Sequence, residues 1–341
     1  MARYADLTAR GLNSLWYGGN RLYWILWPVA FVYGKLVALR RLAYRKTWLK
    51  SIDAGVPVVV VGNLTVGGTG KTPLVVWLAR VLRQRGFRVG IICRGYRGEA
   101  ADWPRAVGVA SDVAAVGDEA TLLASRTGGP VVAGPDRAAA AQALLGMQTV
   151  DVVLSDDGLQ HYRLRRAFEI VVIDGTRGLG NGLCLPAGPL REPETRLREV
   201  DAVVVNDGDF ARSGAMRASV RAVCAREITT GEERSLADFR GRSVHAVAAI
   251  GNPGRFFDLL IAHDLDVDPR PLADHAVLRV EDLRFDDDLP VMLTEKDAVK
   301  CRTLNIGNVW AVVTELEFAS GDGERLVDRL VRALERQPEN L

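Results

Sequence analysis

Short uninterrupted apolar runs recur along the chain, separated by stretches in which apolar residues return every three or four positions. Runs at 56–60, 88–93, 130–133, 150–154, 168–174 and 202–206 are too short for helices and lack strict alternation. They read as strands buried on both faces of a sheet. Helical periods follow at 73–85, 120–126 and 136–145. A second series has strands at 244–250, 290–293 and 308–313, with helices at 255–263 and 322–336. Strands alternating with helices predict an α/β fold with a doubly wound, mostly parallel sheet. Glycine and charge crowd 207–242, which reads as a loose connection. It divides a core at 51–225 from a smaller C-terminal α/β lobe at 226–341 that closes over the site.

The first strand leads into the most informative stretch, VPVVVVGNLTVGGTGKTPL at 56–74. Strand, glycine-rich turn, Gly-Lys-Thr and helix succeed one another in the order of a P-loop. Glycines let successive backbone N–H groups curl around an anion, and the helix N-terminus adds its positive partial charge. Thr65, Val66, Gly67, Gly68, Thr69 and Gly70 would form the cradle. Lys71 would reach the β- and γ-phosphates of a nucleotide, and the Thr72 hydroxyl would hold Mg²⁺. Pro73 sits near the first helical turn, where a missing N–H costs little. Thr65 stands where the general pattern has its first glycine, so Gly67 and Gly68 must supply the flexibility.

A hydrophobic strand ending in acids downstream of a P-loop has the Walker B arrangement, and 150–154 runs into Ser155-Asp156-Asp157-Gly158. One carboxylate would orient the Mg²⁺ shell. Arg94-Gly95-Tyr96-Arg97-Gly98 closes the second strand, where open α/β sheets place ligands. Asp118 reads as a helix N-cap and Glu119 as a first-turn acid that suits the macrodipole. Arg191, in the proline-stiffened loop 185–193, offers a planar fork suited to phosphate. His161 and His275 lie beside acids in loops, whereas His245 and His263 read as ordinary element residues without special neighbours.

Composition changes the picture at one end of the chain. The 341 residues are 48% hydrophobic and 25% charged, as in a globular protein, and the net charge of +2 carries no nucleic-acid signal. Residues 1–50 nevertheless hold nine Lys/Arg against the single acid Asp6. Four of the seven tryptophans and five of the seven tyrosines also fall there. The greasy run 22–34 is too short to span a bilayer, and Pro28 would kink it. Amphipathic aromatics followed by Arg40, Arg41, Arg45, Lys46 and Lys50 predict a membrane-associating helix lying at an anionic interface. Residues 1–15 have no apolar core, so no cleavable signal is expected. Cys93, Cys184, Cys224 and Cys301 are far apart and lack metal spacing, which suits a reducing compartment.

The string GNLTVGGTGKTP at 62–73 resembles the signature of the tetraacyldisaccharide 4′-kinase family, the lipid A 4′-kinases. The likeness continues through RGYRG at 94–98, GDE at 117–119, DDGLQH at 156–161 and PAGPLREP at 186–193. GNPGRFF at 251–257, DH at 274–275 and TEKDAVK at 294–300 complete it, in the family's order. Thr65 is itself a family trait, and Val277 departs from the family, where an aromatic often follows the histidine. The resemblance implies a P-loop NTPase-type fold and phosphoryl transfer from ATP to the 4′-hydroxyl of a tetraacyldisaccharide 1-phosphate, giving lipid IV-A. It implies Asp118 as the catalytic base and His275 as its dyad partner. Mg²⁺ would be arranged by Thr72, Glu119, Asp156 and Asp157. Arg94, Gln160, His161, Arg191 and Lys296 would face the substrate. The family's work on a glycolipid implies a peripheral location on the cytoplasmic face of the bacterial inner membrane.

Two other classes compete with this reading. A nucleotide switch of the GTPase type needs an N-K-x-D base reader, and neither VVVND at 203–207 nor TEKD at 294–297 has that spacing. A membrane-associated switch ATPase would turn over ATP without the lipid acceptor. A non-enzymatic scaffold would not need Lys71, Thr72 and the Asp156-Asp157 pair together.

Overall fold

The computed structural model describes residues 14–19 and 21–336. Residues 1–13 of the predicted N-terminal segment lie outside that range. Helix α1 (Tyr23–Arg45) runs for 23 residues and is assigned without interruption through Pro28. Proline there forfeits one hydrogen bond close to the helix start, and the assignment carries on beyond it.

The predicted core strands form, with boundaries shifted by a residue or two. They are β1 (Val58–Gly62), β2 (Val89–Cys93), β4 (Val131–Ala133), β5 (Val152–Asp156), β6 (Phe168–Asp174) and β7 (Ala202–Asn206). The short β3 (Arg105–Val107) adds an antiparallel edge against β4. Between these strands run α2 (Lys71–Gln84), α3 (Val113–Val116), α4 (Asp118–Thr127) and α5 (Arg137–Met147). Helices cover both faces. Leu74, Leu78 and Leu82 of α2 pack with Leu123 of α4 on one side, and Ala140, Ala141 and Leu144 of α5 lie on the other.

The stretch read as a loose connection contains β8 (Met216–Glu227), a strand of twelve residues, and the short β9 (Glu233–Arg234). Met216, Ala218 and Val220 alternate with Arg217, Ser219 and Arg221, which is a period-two pattern masked by its arginines. The C-terminal half adds β10 (Ser243–Ala248), α6 (Pro253–Ile261), β11 (Asp266–Pro271), α7 (Val280–Leu283) and β12 (Val291–Thr294). It ends with α8 (Glu295–Ala298), β13 (Val309–Phe318) and α9 (Asp322–Glu335). β11 escaped the pattern because Pro269 and Pro271 belong to an edge strand.

A single sheet unites the two halves in the order β11-β10-β12-β13-β8-β7-β6-β1-β5-β2-β4-β3, with β9 pairing β8. All pairings are parallel except β13 with β8, β8 with β9, and β3 with β4. The expected division at residue 225 therefore falls inside β8, a strand hydrogen-bonded to β7 on one side and β13 on the other. Helix α9 crosses back as well: Leu326 and Leu330 are fully buried beside Leu74 and Leu78.

Candidate active site

The carboxyl ends of β1, β5, β6 and β7 meet at the phosphate loop, as parallel order requires. Gly70 caps α2 at φ +89°, and a Cβ on it would come within 2.2 Å of the Asn206 side chain, so glycine is needed there. Three consecutive loop carbonyls are tied down from outside. Asn63 Nδ2 donates to Gly67 O at 3.0 Å, Arg177 donates to Gly68 O, and Asn206 Nδ2 donates to Thr69 O at 3.1 Å. Arg177 is itself held by Asp174 at 3.0 Å. On the other flank, Val66 N–H donates to Pro189 O at 2.9 Å. With the carbonyls fastened outward, the loop keeps its shape although Thr65 stands where a glycine is usual. Sequence reasoning missed Asn63, Arg177 and Asn206. Asn206 could have been suspected as a polar residue ending a buried strand.

Asp156 and Asp157 take opposite roles. Thr72 Oγ1 donates to Asp156 Oδ2 at 3.2 Å, while Asp156 Oδ1 is buried without a hydrogen-bond partner. Burial, reinforced by Glu119, raises the Asp156 carboxyl to about 7 although Lys71 opposes the shift. Asp157 turns the other way with φ +49°. Lys71 Nζ lies 3.5 Å from it, and Arg191 Nη1 reaches both of its oxygens at 3.2 Å. Burial alone would raise Asp157, yet these two cations hold it at about 2. The buried Arg137 donates to Asp156 O at 3.1 Å and fixes the strand end.

The remaining residues expected at the site sit around this centre. Gln160 Nε2 donates to Glu192 at 2.9 Å and to Asn63 O at 3.3 Å, so it braces two loops. Burial, with Arg137 adding to it, pushes His161 down to about 4. Arg94 is exposed and lies 5.7 Å over the Tyr96 ring. Glu119 takes Lys296 Nζ at 3.0 Å. His245, read as unremarkable, has Asp268 at 2.8 Å and Asp287 at 3.0 Å on its two ring nitrogens and stacks on Phe285.

A second cluster joins the halves. Asp118 opens α4 behind Gly117, whose φ of +90° and closeness to Tyr96 O exclude a side chain. His275 Nδ1 donates to Asp118 Oδ2 at 2.8 Å, and Glu119 N–H donates to Asp118 Oδ1 at 2.8 Å. Lys296 Nζ stands 3.5 Å from His275 Nε2. Asp274 Oδ1 lies 3.6 Å from the same Nε2, so a cation and a carboxylate flank that nitrogen while Asp118 holds the proton on Nδ1. His275 has φ +61°, and non-glycine residues held in this region cluster at functional sites. Burial pushes Asp118 upward, but the His275 hydrogen bond with Lys296 and Lys300 outweighs it and keeps the carboxyl below its usual range. Lys300, 3.7 Å from Asp118 Oδ2, was not among the expected site residues.

A phosphate loop joined to a strand-borne carboxylate, in a chain that also carries a carboxylate–imidazole pair, defines a P-loop phosphotransferase. Residues 22–335 match the family model described as tetraacyldisaccharide-1-P 4′-kinase, and the chain belongs to that family. It is 46% identical to the tetraacyldisaccharide 4′-kinase of Nitrosococcus oceani, over 99% of this chain and 98% of that protein. It is 51% identical to that of Alkalilimnicola ehrlichii, over 89% of this chain and 92% of that protein. Among solved structures it is similar to LpxK from Aquifex aeolicus in complex with ATP. The TM-score is 0.78 and the identity 28%, over 92% of this chain and 99% of that one.

Proposed function

We propose that this chain transfers the γ-phosphoryl group of ATP to the 4′-hydroxyl of a tetraacyldisaccharide 1-phosphate, yielding lipid IV-A. The observation that carries the reading is the Asp118–His275 pair, at 2.8 Å, joining the two halves of a chain with a phosphate loop. Phosphoryl transfer asks a protein mainly for positioning and charge neutralisation. The loop amides and Lys71 hold the phosphates. Lys71 is paired with Asp157 and exchanges that partner for phosphate oxygens. Asp118 accepts the hydroxyl proton as the new P–O bond forms, because a carboxylate cannot ionise a free alcohol beforehand. His275 keeps Asp118 Oδ2 oriented, and Lys296 stands beside the other ring nitrogen of His275. Arg191, and more peripherally Arg94, Gln160 and His161, face the acceptor.

The donor set fits Mg²⁺. Thr72 supplies a hydroxyl, and Asp156 an oxygen that is buried and unpartnered. The wider set expected for Mg²⁺ is not gathered: among the described residues no three acidic, His or Cys side chains form a metal cluster, Asp157 is held by Lys71 and Arg191, and Glu119 by Lys296. When bound, Mg²⁺ neutralises phosphate oxygens.

Helix α1 serves as a peripheral anchor at the cytoplasmic face of the inner membrane. Among the described residues no helix is long and apolar enough to cross a membrane. Yet Trp24, Ile25, Phe31, Val32, Leu36 and Leu39 are each more than half exposed, as an interfacial helix requires. The opposite face reaches the site: Tyr33 donates to Arg191 O at 3.1 Å. The glycolipid headgroup would therefore meet Arg191 where α1 meets the bilayer. No nucleic-acid partner is proposed.

The test is transfer of label from γ-³²P-ATP to purified disaccharide 1-phosphate with Mg²⁺ in micelles, wild type beside Asp118→Ala. Label in the lipid that drops sharply in the variant supports the reading. Free phosphate in place of labelled lipid overturns it in favour of a switch ATPase.

A further inference from the structure

The short helix α8 supplies reference points for both members of the cross-half pair. Its first residue, Glu295, accepts Arg126 from the last turn of α4, the helix that Asp118 opens, and accepts Thr314 N–H at 3.0 Å. Its third residue, Asp297, is fully buried. Asp297 Oδ2 accepts the Ala249 N–H at 3.0 Å and the Thr294 hydroxyl at 2.8 Å, and Oδ1 accepts Lys300 Nζ at 2.7 Å. Two of these three partners, Ala249 and Lys300, lead to His275. The Ala249 carbonyl accepts the His275 N–H at 2.9 Å, and Lys300 donates to Ala276 O at 3.4 Å. Lys300 also stands 3.7 Å from Asp118 Oδ2.

From this chain of contacts we infer that Asp297 is a positioning residue for the reaction, setting the His275 loop against Asp118 through Ala249 and Lys300. A buried carboxylate is costly unless it is fully bonded, and two of this one's three bonds go to residues that hold the His275 loop. Geometry of this kind is needed because His275 holds a left-handed backbone conformation, which is uncommon for any residue other than glycine. Misplacing a reacting group by about 1 Å costs roughly 10²-fold in rate. The inference rests on the Asp118–His275 pair being the working dyad.

The experiment uses the full chain with Asp297→Asn, the charge-neutral double variant Asp297→Asn/Lys300→Met, and His275→Ala. Asparagine keeps the shape and one acceptor oxygen but leaves the buried Lys300 with Asp118, 3.7 Å away, as its remaining carboxylate, and the double variant removes that displaced charge. The readouts are kcat, KM for ATP, thermal midpoint, and the ¹H–¹⁵N signal of His275 Nδ1–H. Expected for both Asp297 variants is a kcat roughly 10²-fold lower, with KM for ATP unchanged and the Nδ1–H signal shifted or lost. The double variant should regain thermal stability without regaining kcat. Wild-type kcat or an unshifted Nδ1–H signal in a folded Asp297 variant overturns the positioning role while the dyad stands. Wild-type kcat in His275→Ala overturns the dyad and the positioning role together.

Discussion

The phosphate-binding half of the site and its base-bearing half are built on different principles. The first grows from adjacent parallel strands. Val61 of β1 is in register with Asp156 of β5, so the loop and its carboxylate are neighbours by backbone pairing alone. The second unites Asp118 and His275, far apart in the chain and carried by different halves of the sheet, through side chains and loop backbone. A site half that shares strand register tolerates loss of a functional side chain without losing shape. One held by a few side-chain bonds loses geometry when any of them goes.

The sharpest test of this contrast is Lys71→Ala. Transfer should become undetectable while the fold and thermal midpoint persist, because Asn63, Arg177 and Asn206 rather than the ammonium fasten the loop. An active Lys71→Ala enzyme would remove the phosphate-loop assignment. Next comes Asp118→Ala, expected to lower kcat by roughly 10²–10⁴ with ATP affinity intact, the range for a lost general base. Collapse of ATP binding, measured by calorimetry, would instead make Asp118 part of the phosphate-binding half. Asn206→Ala should weaken ATP binding by about 2- to 10-fold, equivalent to one neutral hydrogen bond, and leave kcat nearly unchanged. A large kcat loss with unchanged ATP affinity would show that the two halves are not separable in this way.

The smallest effect concerns pH. The folded protein holds His161 at about 4, below its ordinary 6.5, so the unfolded chain takes up the proton first as pH falls. The neutral side chain's contribution is complete above pH 6.5 and is lost progressively between pH 6.5 and 4. The melting temperature of the wild type should therefore drop more steeply over that window than that of His161→Gln. Parallel melting curves would mean that His161 is no more buried in solution than an ordinary surface histidine.

Much of the phosphate-binding half was legible because its signals are local. The run before Gly62, the Gly70-Lys71-Thr72 string and the apolar strand ending in Asp156-Asp157 each lie within a few residues. The base-bearing half was not legible from residue types alone. Asp118 in isolation reads as a helix cap, and the Asp118–His275 pairing came from the family resemblance. The partners of Asp297 and Glu192 were invisible, since buried polar groups are satisfied by distant segments that no local period announces. β8 was missed because Arg217, Arg221 and Arg226 give a long strand the composition of a linker. His245 looked ordinary because Asp268 and Asp287, which bracket its ring, are separated from it in sequence.

The return of α9 to the first half bears on how the protein is made. Leu326, Leu330 and Leu334 complete the same apolar layer as Leu74, Leu78 and Leu82, and Gly323 lies close against Trp77. Synthesis proceeds from the amino end, so the phosphate loop and its strands leave the ribosome while their covering helix is still untranslated. Until then that layer is open on one side, and the half with the most apolar strands is the half most exposed to misassociation. A chain cut short before residue 322 would retain every residue assigned here to phosphoryl transfer and still lack the surface that lets them come together.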